Sequence, residues 1–420
     1  MSAANGSPFP QREGGWGSRS PDVAVVGGGI IGCAVAYYLA RAGARVAVLE
    51  RDQIAAEASS AAAGMLAPLA EGAAPGPFLD LALASLSRFG ALAAELRDAT
   101  GIDVELITAG LLRPALDDAE AADYRASLDA QRALGLPLQW LDAAEARALE
   151  PLLTPDVRGA LYSPAEHQVN PARLTTALAR AAAAHGATFR LGAVARGLLR
   201  DGDRVVGVRL ADSDLPADHV VLAAGAWAAA CGEWLGTPIP ITPIKGQMLA
   251  VSPAPGAQSN AGAPPPLSGG RGSQLPPASV GRGGRLSRTL YARTGYLVPK
   301  ADGTIYVGAT VERAGYDRRV TAAGASALLD ALKRLAPALA DATLVRTWAG
   351  LRPGTPDHLP ILGPVPGYRG VTLATGHYRN GILLAPITGE LIAQAVLGQP
   401  TTLPLAPFSV ERFVAVGARS

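Results

Sequence analysis

Two arginines and a tyrosine are the side chains in this 420-residue chain whose surroundings suggest chemistry. Arg352 lies in Trp348-Ala349-Gly350-Leu351-Arg352-Pro353-Gly354, a Gly/Pro-rich stretch that reads as a loop. An unpaired guanidinium is costly in so apolar a context, and its planar fork of donors suits a carboxylate. Pairing with Asp357 or with a chain carbonyl would satisfy it equally well, and spacing leaves the choice open. Arg379, followed by Asn380-Gly381, poses the same choice. Tyr296, in a strand-like run, either closes a small pocket or is half-buried packing. Hydrolytic arrangements are not evident: there is no Ser/His/Asp order and no acid pair, and the five histidines show no metal-ligand spacing, so no metal is expected. On this reading the chemistry belongs to a bound group, and the protein orients a substrate against it.

The place for that group is Asp22–Glu50. Asp22–Val26 is a β-branched strand, Gly27-Gly28-Gly29-Ile30-Ile31-Gly32 fits G-x-G-x-x-G, and Ile31–Ala42 is an Ala-rich helix closed by Gly43. Gly27 permits the turn, Gly29 lets backbone approach a pyrophosphate, and Gly32 lets the helix sit close on the strand. The helix N-terminus then favours the phosphates. Glu50 ends a second strand where a ribose hydroxyl needs an acceptor, which suits an adenosine without a 2′-phosphate. Val23–Ala40 carries no charge and follows Arg12 and Arg19, as a signal peptide would. Three consecutive glycines after a β-branched strand argue against membrane insertion.

The remaining elements must position these parts. Residues 1–20 read as a disordered leader. In Ala55–Ala70, Ser59-Ser60 precede small residues that either let backbone amides approach a ligand or form an Ala-rich helix. Phe78–Leu96 has the period of one amphipathic helix, Ile102–Arg113 has strand character, and Ala119–Leu134 is helical. Asp142 with Glu145 fits a capping box for a short helix ending at Pro151. Asn170-Pro171 opens a helix to His185 with Gly186 as its stop. Asp201-Gly202-Asp203 signals a hairpin, and strand His219–Gly225 runs into the small-residue turn Ala223-Ala224-Gly225-Ala226-Trp227. That turn is either a second close approach to a nucleotide or a plain corner. Ile241–Val251 is a strand, Ser252–Arg288 a disordered Gly/Pro/Ser-rich insertion, and Thr289–Val298 and Thr304–Thr310 are strands around Ala301-Asp302-Gly303. Ala322–Ala336 is helical.

Composition narrows the class. With 49% hydrophobic and 17% charged residues the chain is a globular protein, expected in the cytoplasm. Lys+Arg 37 against Asp+Glu 35 gives no electrostatic footprint for nucleic acid or an anionic membrane. Cys33 and Cys231 form no disulfide framework and read as small core residues.

With these residues laid out, the chain resembles the glycine oxidase branch of the D-amino-acid oxidase superfamily, flavoenzymes associated with thiazole formation in thiamine synthesis. The matching pieces are VVGGGIIG at Val25–Gly32, SSAAAGMLAP at Ser59–Pro68, AAGAW at Ala223–Trp227, KGQML at Lys245–Leu249, YLVPK at Tyr296–Lys300, VGATVE at Val307–Glu312, WAGLRPGTPD at Trp348–Asp357 and GHYRNGILLAPITGE at Gly376–Glu390. The resemblance implies an α/β, two-domain flavoprotein. A discontinuous Rossmann-like domain (21–75, 150–235, 345–400) would bind FAD without a covalent link. A mixed-sheet domain (76–149, 236–344) would bind substrate, and 401–420 would form a tail. It implies that FAD meets Gly27, Gly29, Ile30, Ile31, Gly32, Glu50, Ser59, Ser60, Ala62, Gly64, Met65, Ala224, Gly225, Trp227, His377, Asn380, Gly381, Ile382 and Leu383. It also implies that Arg352 clamps a substrate carboxylate while bordering the flavin, that Tyr296 and Arg379 border the pocket, and that Arg379 also meets the FAD. The implied partners are a small amino acid, O2, a second copy of the chain and a thiazole synthase that takes the imine product. Thr294 and Val311 stand where some relatives carry histidine and methionine, which bears on pocket size and on the choice among glycine, sarcosine and D-amino acids.

Overall fold

The structure, a computed structural model, describes residues 20–70, 74–133, 137–253 and 285–413. The leader and most of the insertion expected from sequence fall outside these ranges.

The Asp22–Glu50 stretch forms the unit its spacing predicts: β1 (Val23–Val26), α1 (Ile30–Arg41) and β2 (Val46–Glu50). β1 sits near the middle of a six-stranded sheet, between β2 and His219–Leu222, and all four of its residues are buried. Val371–Thr375 and Thr188–Leu191 extend the parallel pairing on either side, and Ile361–Pro364 adds an antiparallel edge. Strands buried on both faces need apolar side chains throughout, which is why β1 reads as a continuous Val/Ala run. Helices Pro171–Ala184 and Gly381–Val396 pack against α1. The second crossing is close because Gly389 has no side chain: a Cβ there would lie 2.9 Å from the Ala34 backbone.

A second, eight-stranded sheet runs Thr343–Gly354, Thr242–Ser252, Ile305–Gly308, Gly295–Pro299, Thr289–Ala292, Leu111–Ala115, Gly159–Ser163 and Gln139–Asp142. It is antiparallel apart from the pairing of Thr289–Leu290 with Leu111–Leu112. Helix Ala322–Leu335 covers one face, placing Leu328, Leu332 and Leu335 against Leu249, Leu297 and Val307.

Several local signals hold. Asn170 caps its helix by accepting from Arg173 N, Asp142 and Glu145 form a reciprocal capping box, and Gly202 turns the 195–210 hairpin at φ 59°. Others need correction. The Phe78–Leu96 helix is two helices, Pro77–Leu86 and Phe89–Thr100, bent by 43°. Both the Ser87 hydroxyl and the Arg88 guanidinium donate to Ala84 O, drawing the chain out of helical pairing. Of Ile102–Arg113 only the end from Leu111 is strand. Thr289–Val298 is a hairpin broken at Arg293-Thr294, where Gly295 adopts φ 145°. Trp348–Gly354 is no loop but the end of a twelve-residue edge strand paired with Thr242–Ser252. Gly350 and Pro353 mask its two-residue alternation, and an edge strand tolerates proline because its outer N–H needs no partner. No single helix among the described residues is long and apolar enough to cross a membrane.

Candidate active site

A partly open cleft runs from the N-terminus of α1 to the eight-stranded sheet. At one end it is lined by Gly29, Ile30 and Ile31, then by small residues from Ala58 to Met65 and by Ala223 and Gly225. At the other end lie Gly246, Met248, Tyr296, Gly350 and Arg352, flanked by His377, Tyr378, Arg379, Gly381 and Ile382. Two helix starts therefore meet the cleft, α1 and Gly381–Val396, neither with an acid in its first turn. Their free N–H groups and dipoles favour negative charge.

The glycines divide their work by position. Gly27 holds φ 113°, and a Cβ there would lie 2.5 Å from Ala223 O; one on Gly32 would lie 1.9 Å from Gly27 O. Both shape the turn and do not line the cleft, whereas Gly29 does. Ser59 Oγ accepts from Ile30 N at 2.8 Å, tying the small-residue loop to the start of α1. Only Ala58–Ala61 of that loop is helical, so the alternative of a long Ala-rich helix is ruled out. Glu50 is fixed at the end of β2, its two oxygens accepting from Gly28 N at 2.6 Å and Asp52 N at 2.8 Å.

The eight-stranded sheet grips this loop from the other side. Trp348 Nε1 donates to Ala61 O at 3.0 Å and Lys300 Nζ to Ala63 O at 2.5 Å. Burial pushes the Lys300 ammonium down to about 7.

Strand alternation brings Trp348, Gly350 and Arg352 to one face. The Arg352 guanidinium lies over Gly246, where a Cβ would be 2.4 Å from both terminal nitrogens, and Nη1 donates to Thr310 O at 3.1 Å. Of the two alternatives left open by sequence, the carbonyl contact exists and the acid pair does not. Asp357 instead accepts from Arg412 Nε at 2.7 Å. Among the described residues no carboxylate lies within ion-pair distance of Arg352. Tyr296 is buried over Gly308, where a Cβ would meet its ring at 2.5 Å, and its hydroxyl lies 3.8 Å from Met248 Sδ. Tyr291 stacks on it with ring centroids 6.1 Å apart and accepts from Arg379 Nη2 at 3.1 Å. His377 is fully buried with Nε2 3.0 Å from Thr388 Oγ1, and burial holds its pKa down to about 3. It is a neutral wall residue at working pH.

Of the residues named from sequence, Gly29, Ile30, Ile31, Ser59, Ala62, Gly64, Met65, Gly225, Tyr296, Arg352, His377, Arg379, Gly381 and Ile382 come together on this cleft. Gly27, Gly32, Glu50, Ser60, Ala224, Trp227, Asn380 and Leu383 lie outside its lining. Trp227 is sandwiched between Arg51, 3.9 Å from its ring centroid, and Tyr316. Asn380 is the N-cap of its helix, and Leu383 O accepts from Ser85 Oγ in the core. The structure adds Gly246, Met248 and Tyr378 to the cleft wall, and Tyr291 and Lys300 beside it. KGQML and YLVPK contain Gly246, Met248 and Lys300, and strand alternation applied to those motifs would have found them. Both cysteines are buried and neither lines the cleft; the Cys33 thiol donates to Gly28 O at 3.4 Å, and burial pushes the Cys231 thiol up to about 12.

Residues 22–395 match the family of FAD dependent oxidoreductases described by the DAO model. A glycine oxidase from Geobacillus kaustophilus is 39% identical over 94% of this chain and 97% of its own length. A crystal structure of glycine oxidase from that organism superposes with a TM-score of 0.83 at 38% identity, covering 93% of this chain and 98% of the other. A bifunctional protein ThiO/ThiG from Synechocystis is 38% identical over 94% of this chain, which spans only 54% of that longer protein.

Proposed function

The chain belongs to this family of FAD-dependent oxidoreductases, and from that membership we propose that it oxidises glycine to the imine, which yields glyoxylate and ammonia, with O2 reduced to hydrogen peroxide. The observation that carries the substrate class is Arg352: a guanidinium on the cleft wall, steadied by one carbonyl and lacking a carboxylate partner among the described residues.

The cleft fits FAD by the chemistry of its walls. The start of α1, its Ile30 N–H held by Ser59 Oγ, and the run of Ala and Gly beside it would hold the pyrophosphate and ring. Glu50 would meet the adenosine ribose. Neither cysteine lines the cleft, which accords with an FAD held without a covalent link. When bound there, FAD supplies the redox chemistry, taking two electrons from the substrate and delivering them to O2.

The protein residues bind and orient. Arg352 takes the substrate carboxylate in two parallel hydrogen bonds, which fixes the direction of the α-carbon. Met248 and the Tyr296 ring exclude water and disfavour an ammonium, so the amine is held neutral and its C–H bond is ready to lose hydride. A protein base is not required: no Asp or Glu lines the cleft among the described residues, and His377 is neutral and engaged with Thr388. The Tyr291–Tyr296 stack, tied to Arg379, keeps the pocket small and favours glycine over bulkier amino acids.

The bifunctional ThiO/ThiG relatives support a hand-off of the imine to a thiazole synthase. Two buried free cysteines accord with a cytoplasmic site of action, and a homo-oligomer belongs to the same reading. Anaerobic mixing of the yellow protein with glycine, sarcosine, D-alanine and D-proline tests the proposal. Fastest bleaching by glycine is expected; bleaching by another amine alone would reassign the substrate.

A further inference from the structure

Two short segments, Lys245-Gly246-Gln247 and Thr310-Val311-Glu312, meet behind Arg352 and form a polar network that the reaction above does not use. Lys245 and Glu312 exchange backbone hydrogen bonds in both directions at 2.9 Å. The Lys245 ammonium is 2% exposed and lies 3.1 Å from Glu312 Oε2. The other carboxylate oxygen accepts from Thr310 Oγ1 at 2.5 Å and from Gln247 Nε2 at 2.7 Å. Thr310 Oγ1 accepts in turn from Gln247 N at 2.8 Å, and Gln247 Oε1 accepts from Thr321 N at the start of helix Ala322–Leu335. Burial by itself would raise the Glu312 pKa, but the bonds from Thr310, Gln247 and Lys245 outweigh it and hold the carboxyl below its ordinary range. An ionised carboxylate only accepts, so it fixes the Thr310 hydroxyl as donor toward it.

Stability alone is a weak reason for this arrangement. Burying an ammonium is costly, and an apolar pair of similar volume commonly serves stability as well or better. What the network does adjoin is the cleft. Thr310 O accepts the one hydrogen bond that the Arg352 guanidinium makes among the described residues, and Gly246, between the two network residues of its strand, lies beneath that guanidinium. Strand alternation puts Lys245 and Gln247 on the face opposite Gly246 and Met248. One tripeptide thus supplies the surface under the arginine and the groups that hold its carbonyl partner.

We propose that Glu312 is a positioning residue for the substrate carboxylate: through Thr310 it fixes the carbonyl that orients Arg352, with Lys245 and Gln247 holding Glu312 in place. The proposal rests on the reading of Arg352 as the carboxylate clamp.

The test measures binding of acetate, a carboxylate with no amine to oxidise, from its perturbation of the flavin spectrum of the FAD-loaded enzyme. Glycine KM and kcat are measured beside it for Thr310→Ala, Thr310→Ser, Glu312→Ala and Arg352→Ala. Thr310→Ala and Glu312→Ala should each raise the acetate Kd and the glycine KM about tenfold with kcat within about threefold, the pattern of a misplaced binding group. FAD content should not change, and Thr310→Ser should restore both constants. Thr310→Ala keeps the Lys245–Glu312 pair, so it gives an answer even where Glu312→Ala does not fold. Wild-type acetate binding in Thr310→Ala, with binding lost in Arg352→Ala, would overturn the positioning role and leave the clamp standing. Unchanged binding in Arg352→Ala would overturn the clamp and the positioning role with it.

Discussion

The two ends of the cleft are built on different plans. At the α1 end the cleft is lined mostly by small residues: Gly29 and a loop of Ala, Ser and Gly, whose backbone is open to the cleft for want of bulky side chains, supported by glycines that let strand, turn and helix approach within contact. At the other end they are side chains, Arg352, Tyr296 and Met248, projecting from antiparallel strands and held by Thr310, Gly308 and Gly246. A backbone site is fixed by the fold itself, so damage to it removes the cofactor. A side-chain site can be displaced while the fold stands, so damage to it should spare the cofactor and spoil the substrate.

Substitutions can break or sharpen this contrast. The largest effect is expected from Gly32→Val. Its Cβ would lie 1.9 Å from Gly27 O, a backbone atom that cannot swing away. Overpacking of this kind costs about 3 kcal/mol, so the protein should melt earlier and purify colourless, as Tm and the flavin absorbance will show. Gly246→Ala should do the opposite. Its methyl would meet the movable guanidinium of Arg352 at 2.4 Å, leaving FAD bound. Glycine KM should rise about thirtyfold, equivalent to about 2 kcal/mol of a charge-assisted contact. If Gly246→Ala loses FAD instead, the two ends are not separable as described. The smallest effect is expected for Ser59→Ala, which removes the oxygen that accepts from Ile30 N. A helix-start bond is worth about 1 kcal/mol, so the FAD dissociation constant should rise about fivefold with glycine KM unchanged.

The same contrast decides what could be read from sequence. Gly27, Gly29 and Gly32 stand within six residues, so strand, turn and helix were legible from spacing, as were the caps at Asn170 and Asp142. Arg352 was visible as an oddity, but its partner was not. Thr310 and Gly246 lie 42 and 106 residues away, and only strand pairing brings them together. The stretch around it reads as a loop because Gly350 and Pro353 conceal the alternation of an edge strand. Trp227 shows the converse. Its small-residue turn forms as a 3₁₀ turn with Gly225 on the cleft, yet the indole packs between Arg51 and Tyr316, contacts no local pattern signals. Tyr291 carries no signal in sequence because its importance comes from the ring it stacks on, across a turn where the sequence pattern reads as continuous strand.

The central claim is that Arg352 holds the substrate carboxylate against a cofactor it is not needed to retain. Rapid anaerobic mixing of Arg352→Ala with glycine tests it most directly, with flavin content measured in the same sample. The variant should carry wild-type FAD and be reduced by glycine at least about a hundredfold more slowly than wild type at equal concentration, consistent with losing about 3 kcal/mol of a desolvated charge contact. Reduction at the wild-type rate, with FAD bound, would contradict the account.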